Sequence, residues 1–139
     1  MLTEASGVPI GVAVAGANRH DVMLLAVTLA SIPVARPRPT RRTPQGVCLD
    51  KAYDITWVYR LLVAAGFTPH VRGIREEVDA RPRGTRARRW VVERTHSWMN
   101  RFRALLVRWD KATANYEGAL HLACAYIAFA RAGPTGIGG

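Results

Sequence analysis

Between Met1 and Val71 short apolar runs of strand length alternate with stretches of helical length, and glycine or proline punctuates each boundary. A strand followed by a helix and another strand calls for a sheet with helices packed on it, because each element must bury its apolar face. The expected class is therefore α/β. Val8–Ala15 reads as a buried strand ended by Gly16, and Met1–Ala5 reads as its hairpin partner across a Ser6-Gly7 turn. Asn18 is placed to cap a helix over about residues 20–32, with Asp21 in its first turn and Pro33 ending it. Residues 33–46 are rich in proline and arginine and read as an exposed loop.

Residues 46–50 (GVCLD) form a second strand candidate. Asp54 is the expected cap of a helix over about residues 55–65, closed by Gly66. Phe67 to Val71 follows as a third strand, which Pro69 confines to an edge. The segment RPRGTRARR (81–89) is basic and broken, and leads into a stretch without glycine or proline from Arg86 to Trp109. There Val91, Trp98, Phe102, Leu105 and Trp109 recur at helical spacing, which predicts one amphipathic helix with an aromatic core stripe. A last helix over about residues 115–130 is apolar nearly all round and is expected to be buried, before a disordered tail over 132–139.

The 139 residues suffice for one compact domain, and a hydrophobic fraction of 49% excludes the disordered class. The net charge of +10 favours a polyanionic partner, most simply nucleic acid, since neutralising phosphates releases counterions. No stretch reads as a signal peptide, a membrane span or a basic amphipathic anchor, so no membrane partner is expected. Cys48 and Cys124 stand apart in apolar settings, without a CxxC pair, and read as buried thiols of a reducing compartment. The four histidines lack metal-ligand spacing, and no serine or cysteine has a recognisable catalytic partner.

Two carboxylates remain as candidates for chemistry. Asp50 ends a short strand, where active sites of open α/β sheets gather. The competing reading is that Asp50 only starts a turn, but Asp54 is better placed to cap, which leaves Asp50 free. Glu93 is the one acid between Asp79 and Asp110, in a basic segment. Its competing reading is a surface ion pair with Arg89, four residues earlier. Two carboxylates from different elements in a basic setting suit divalent-metal phosphoryl transfer. Arg94, Arg101 and Arg108 recur every seven residues on the expected helix face, either as contacts to a DNA backbone or as a solvated face.

The segments GVPIGVAVAGANRHD, LDKAYD, ARRWVVERTHSWMNRFRALLVRWDK and LACAYIAF, in that order, resemble the DDE transposases of bacterial insertion sequences. The insertion-sequence-five family is the nearest in wording, and the resemblance runs from Gly7 to about Arg131. It implies a ribonuclease-H-like fold with a helical C-terminal part, in which acidic residues bind Mg²⁺ or Mn²⁺. Asp50 in LDKAYD and Glu93 in VVER fall on two of the family's three catalytic metal ligands. Arg89 matches the basic residue four before the glutamate. The position seven after it, often lysine, is Asn100 here, with Arg101 beside it.

Nothing in the chain matches the family's first catalytic aspartate or its strand; Glu4 and Asp21 stand outside that motif. The resemblance thus implies a partial catalytic domain over residues 1–131, from a truncated or split product. The expected activity is DNA strand cleavage and strand transfer, completed only with an upstream partner. The alternative is a non-catalytic remnant that binds DNA or interferes with full-length transposase. Arg89, Arg94, Arg101 and Arg108 are the expected DNA contacts, and the expected location is the cytoplasm, at the nucleoid.

Overall fold

The computed structural model describes residues 1–71, 89–107 and 111–132. They are mixed α/β and fall into two compact units: residues 1–16 and 27–33 with the described residues from Arg89 onward, and residues 17–26 with 34–71. The expected tail beyond residue 132, together with Arg108 and Trp109, lies outside the described residues.

The first unit opens with β1 (Leu2–Thr3) and β2 (Pro9–Gly11), an antiparallel pair. The expected hairpin is present, and Glu4 holds its turn: the carboxylate accepts from the Ser6 and Val8 amides at 3.0 Å each and from the Ser6 hydroxyl. Gly7 takes φ +94°, a left-handed conformation that side-chain-bearing residues avoid. The strand expected to run to Ala15 stops at Gly11. One reason is a contact from 19 residues along the chain: the Val12 amide donates to Ser31 Oγ at 2.8 Å instead of to a strand neighbour. That hydroxyl in turn donates to the Thr28 carbonyl at 2.8 Å, within and just beyond helix α1 (Leu25–Ala30). The turn before α1 is a 3-10 helix, Asp21–Leu24, whose N-cap is His20 without a side-chain cap, so Asn18 does not cap it.

In the second unit β3 (Gly46–Leu49) and β4 (Thr68–Val71) pair in parallel, Val47 opposite Pro69. Alternate amides of β4 face β3, and Thr68 donates to the Gln45 carbonyl at 2.8 Å. The next nitrogen, that of Pro69, points away, which is how a proline fits this edge. Helix α2 (Thr56–Ala64) joins the two strands and buries Val58 and Leu62 completely. Gly66, at φ +79°, closes it as expected, with Phe67 donating to Leu62 and Gly66 to Val63. Arg36 of the proline- and arginine-rich loop stacks over Phe67 at 3.9 Å and donates to Gln45 Oε1 and the Ala65 carbonyl. That arginine therefore holds the loop to the fold.

The expected single helix over residues 86–109 is instead two: α3 (Arg89–Met99) and α4 (Arg103–Leu106). No proline or glycine explains the break. Phe102 turns to extended backbone at the junction, and its ring meets Tyr126 edge-on, with centroids 5.8 Å apart. Tertiary packing overrides helix propensity here. The aromatic stripe is core, as expected: Trp98, Phe102 and Leu105 pack on Met99, Leu120, Ala123 and Ile127.

Helix α5 (Thr113–Ala132) supplies the last three of those residues and corrects an expectation. Only one face is buried. Leu122, Tyr126 and Phe129 are 72%, 62% and 79% exposed, so the helix is apolar on both sides while one side has cover. The cysteine reading is corrected as well: Val47 faces inward on β3, so the pleat turns Cys48 outward and exposes it. Cys124 is half-buried, and no disulfide joins the two.

Candidate metal and nucleic-acid site

Asp50 follows β3 directly, at the carboxyl end of the parallel pair. Its backbone is extended (φ −75°, ψ 175°), and Oδ1 accepts the Ala52 amide at 2.9 Å. Asp50 is thus the N-cap of the 3-10 turn Lys51–Tyr53, contrary to the expectation that Asp54 takes the capping work. The N-cap of α2 is Ile55, without a side-chain cap, and Asp54 accepts from the Tyr59 hydroxyl at 3.0 Å. Capping does not use Asp50 up. A carboxylate has about four acceptor sites; one serves Ala52, and the side chain is exposed.

Tyr53 lies one tight turn beyond Asp50 and is half-buried. Burial raises its phenol above the ordinary value, and the Asp21 and Asp50 carboxylates raise it further. Both carboxylates and the phenol they act on lie in the second unit. Sequence reasoning passed over Tyr53. The available signal was its spacing, since residues three apart eclipse on a 3-10 turn.

Glu93 lies on α3 in the first unit, with its side chain exposed. The helix is held by its neighbour two residues on. Thr95 is buried, and its hydroxyl lies 2.6 Å from the Gly7 carbonyl and 3.0 Å from the Val91 carbonyl of its own helix. Arg94, between them, reaches the Ser6 carbonyl at 3.4 Å. The turn before β2 is so close that a Cβ on Gly7 lies 3.2 Å from the Val91 carbonyl oxygen.

Asp50 and Glu93 thus come from different units. Among the described residues no three His, Cys, Asp or Glu side chains gather as a metal-holding group. Both candidates offer the hard oxygen donors that Mg²⁺ and Mn²⁺ take, and each is accessible. The basic candidates divide. Arg94 and Arg101 are exposed; Arg89 begins α3, and Arg108 lies outside the described residues. Because α3 ends at Met99, Arg94 and Arg101 do not share one continuous helix face, which corrects the expected seven-residue row. Asn100 is exposed at the end of α3, where its amide donates to the His96 carbonyl at 2.9 Å. No helix among the described residues is long and apolar enough to cross a membrane.

No solved structure matches the chain. A relative from Burkholderia cepacia, named as a candidate transposase for insertion sequence element IS402, is 34% identical over 130 residues. The match covers 91% of this chain and 60% of the relative, so the chain spans a little under two thirds of that protein's length. The family model described as the transposase DDE domain matches residues 1–128, and with it every element from β1 to most of α5. The chain belongs to the DDE transposase family of insertion sequences.

Proposed function

We propose that the chain is the C-terminal part of a transposase catalytic domain of the insertion-sequence-five group, with a ribonuclease-H-like fold that cleaves and rejoins DNA. The observation that carries this reading is the position of Asp50: an exposed carboxylate at the carboxyl end of a parallel strand, with one oxygen oriented by the Ala52 amide. Asp50 and Glu93 are the metal ligands in this reading, and Mg²⁺ or Mn²⁺ bound to them supplies polarisation of the attacking and leaving oxygens at phosphate. The Ala52 amide orients Asp50, and the Thr95–Gly7 contact holds the helix that presents Glu93. Arg89, Arg94, Arg101 and Arg108 hold the DNA backbone, which places no demand on sequence. The metal site is completed by a further carboxylate from the longer transposase or a split upstream partner.

Mn²⁺ titration of the chain followed by electron paramagnetic resonance tests the ligands without requiring turnover. Asp50→Asn and Glu93→Gln are each expected to weaken binding at least about tenfold, or about 1.4 kcal/mol. Unchanged Mn²⁺ affinity in both variants overturns the assignment.

The net charge of +10 also favours a second reading, a non-catalytic DNA-binding or transposase-interfering piece. Both readings require affinity for DNA that falls steeply with salt. They separate on strand cleavage in the presence of the rest of the transposase. Cleavage that depends on Asp50 and Glu93 supports catalysis, and cleavage indifferent to both supports the interfering piece.

A further inference from the structure

We propose that the loop between α1 and β3 is a separate phosphate-binding surface, held in shape by Arg36, on which Arg38, Arg41 and Arg42 grip the DNA backbone. The inference rests on the reading of DNA as the partner and adds a site to it. Arg94 and Arg101 belong to the first unit, whereas this loop belongs to the second, with Asp50.

The loop has a built shape. Pro33, Pro37, Pro39 and Pro44 each fix one φ angle along it. Its two arms are joined at the base: Arg36 lies over the Phe67 ring and donates to Gln45 Oε1 at 2.9 Å and to the Ala65 carbonyl at 2.7 Å. Gln45 Nε2 donates in turn to the Pro37 carbonyl at 2.7 Å. Pro39 Cγ stands 3.5 Å from where a Gly66 Cβ would lie, so the first arm rests on the end of α2. Thr40 and Thr43 close the tip. The Thr40 amide donates to the Thr43 carbonyl at 3.2 Å, the Thr43 amide donates to Thr40 Oγ1 at 3.1 Å, and the two hydroxyls share a bond of 2.6 Å. Arg41 and Arg42 are the two middle residues of that turn, and Arg38 stands between two prolines on the first arm.

Charge selects the ligand. Arg36 serves the fold, but Arg38, Arg41 and Arg42 are exposed, and none of them meets a carboxylate among the described residues. The sequence has no acid between Asp21 and Asp50, so the loop carries nothing to neutralise them. Gathering like charges on one loop is unfavourable until a polyanion arrives. The guanidinium fork matches phosphate oxygens, and contacts to the backbone require no base sequence. Guanidinium groups on both arm and tip suit a run of phosphates rather than a single ion. A loop already held in one shape loses little entropy on binding, and that is what the Arg36 contacts contribute.

Fluorescence anisotropy of the whole chain with a short labelled DNA duplex, in EDTA and across a range of salt, tests the proposal apart from the metal site. Arg38→Gln, Arg41→Gln and Arg42→Gln together are expected to make the logarithmic salt dependence of affinity shallower by about 2–3. Arg19→Gln, Arg60→Gln and Arg103→Gln remove the same charge from exposed positions elsewhere and are expected to change that slope far less. Arg36→Lys keeps the charge but loses the fork and the stack; it is expected to weaken binding at least about threefold with the slope unchanged. Both triple variants and Arg36→Lys are expected to keep the far-UV circular dichroism. A wild-type slope in the loop variant overturns the proposal, as does an equal effect of the control variant; wild-type affinity in Arg36→Lys overturns the preformed loop. Binding that is lost in Arg94→Gln with Arg101→Gln but indifferent to the loop removes this site and leaves DNA as the partner. A wild-type chain that binds no duplex at low salt removes both.

Discussion

The Thr95 hydroxyl lies 2.6 Å from the Gly7 carbonyl across 88 residues of chain, and this contact ties the helix that carries Glu93 to the turn between β1 and β2. Thr95 is almost fully buried, so the carbonyl it serves has little access to water. Thr95→Val keeps the shape and removes the donor. It is expected to lower unfolding stability by about 1–3 kcal/mol, read as a fall in the urea midpoint, with Thr95→Ser retaining more of it. Gly7→Ala is expected to destabilise as well, through its positive φ and the crowding of Val91.

The turn itself titrates in acid. Burial alone raises the Glu4 carboxyl, but hydrogen bonds from the Ser6 side chain and from the Ser6 and Val8 amides outweigh it, so the group lies below its ordinary 4.5. A depressed folded-state value means that the stabilisation is present above the unfolded value and is lost as pH falls through the folded one. Thermal midpoints measured from neutral pH down to about pH 3 are expected to fall less steeply for Glu4→Gln than for wild type.

Tyr53 titrates at the other end of the scale. Its phenol is raised by burial and by Asp21 and Asp50, so the folded chain keeps the proton longer than the unfolded chain. Stability from this source is present below the unfolded value and is lost as pH rises through the folded one. Tyr53→Phe is expected to flatten the alkaline loss of stability, and Asp50→Asn to bring the Tyr53 absorbance transition to lower pH.

Thiol chemistry separates the two cysteines. Cys48 is exposed on the outer face of β3, whereas burial raises the Cys124 thiol, opposed only partly by the positive N-terminus. Reaction with a small disulfide reagent at neutral pH is expected to be biphasic, with the fast phase absent from Cys48→Ser.

In the second unit Leu62 is wholly buried beneath the parallel pair. Leu62→Ala is expected to cost about 2–5 kcal/mol, read by denaturant unfolding, and to remove most of the cooperative transition of this unit.

Much of the chain was legible locally because its signals are short-range. Gly66 ends α2 since only a residue at ease with positive φ closes a helix that way, and the apolar run at 46–49 forms β3 at the expected residues. The acid at its carboxyl end was likewise visible, along with the aromatic stripe of α3 and α4. Long-range contacts decided the rest. Ser31 takes the Val12 amide and ends a strand that valine content extends to Ala15, and the Phe102–Tyr126 contact accompanies a break that no helix breaker predicts. Hydrophobicity likewise cannot say which side of α5 finds cover: both sides read alike in sequence, and only packing against β2, α3 and α4 leaves Leu122 and Phe129 outside. Composition and periodicity set what each segment can form, because those preferences act within a few residues; partners distant in the chain choose among those forms, because burial depends on what else arrives.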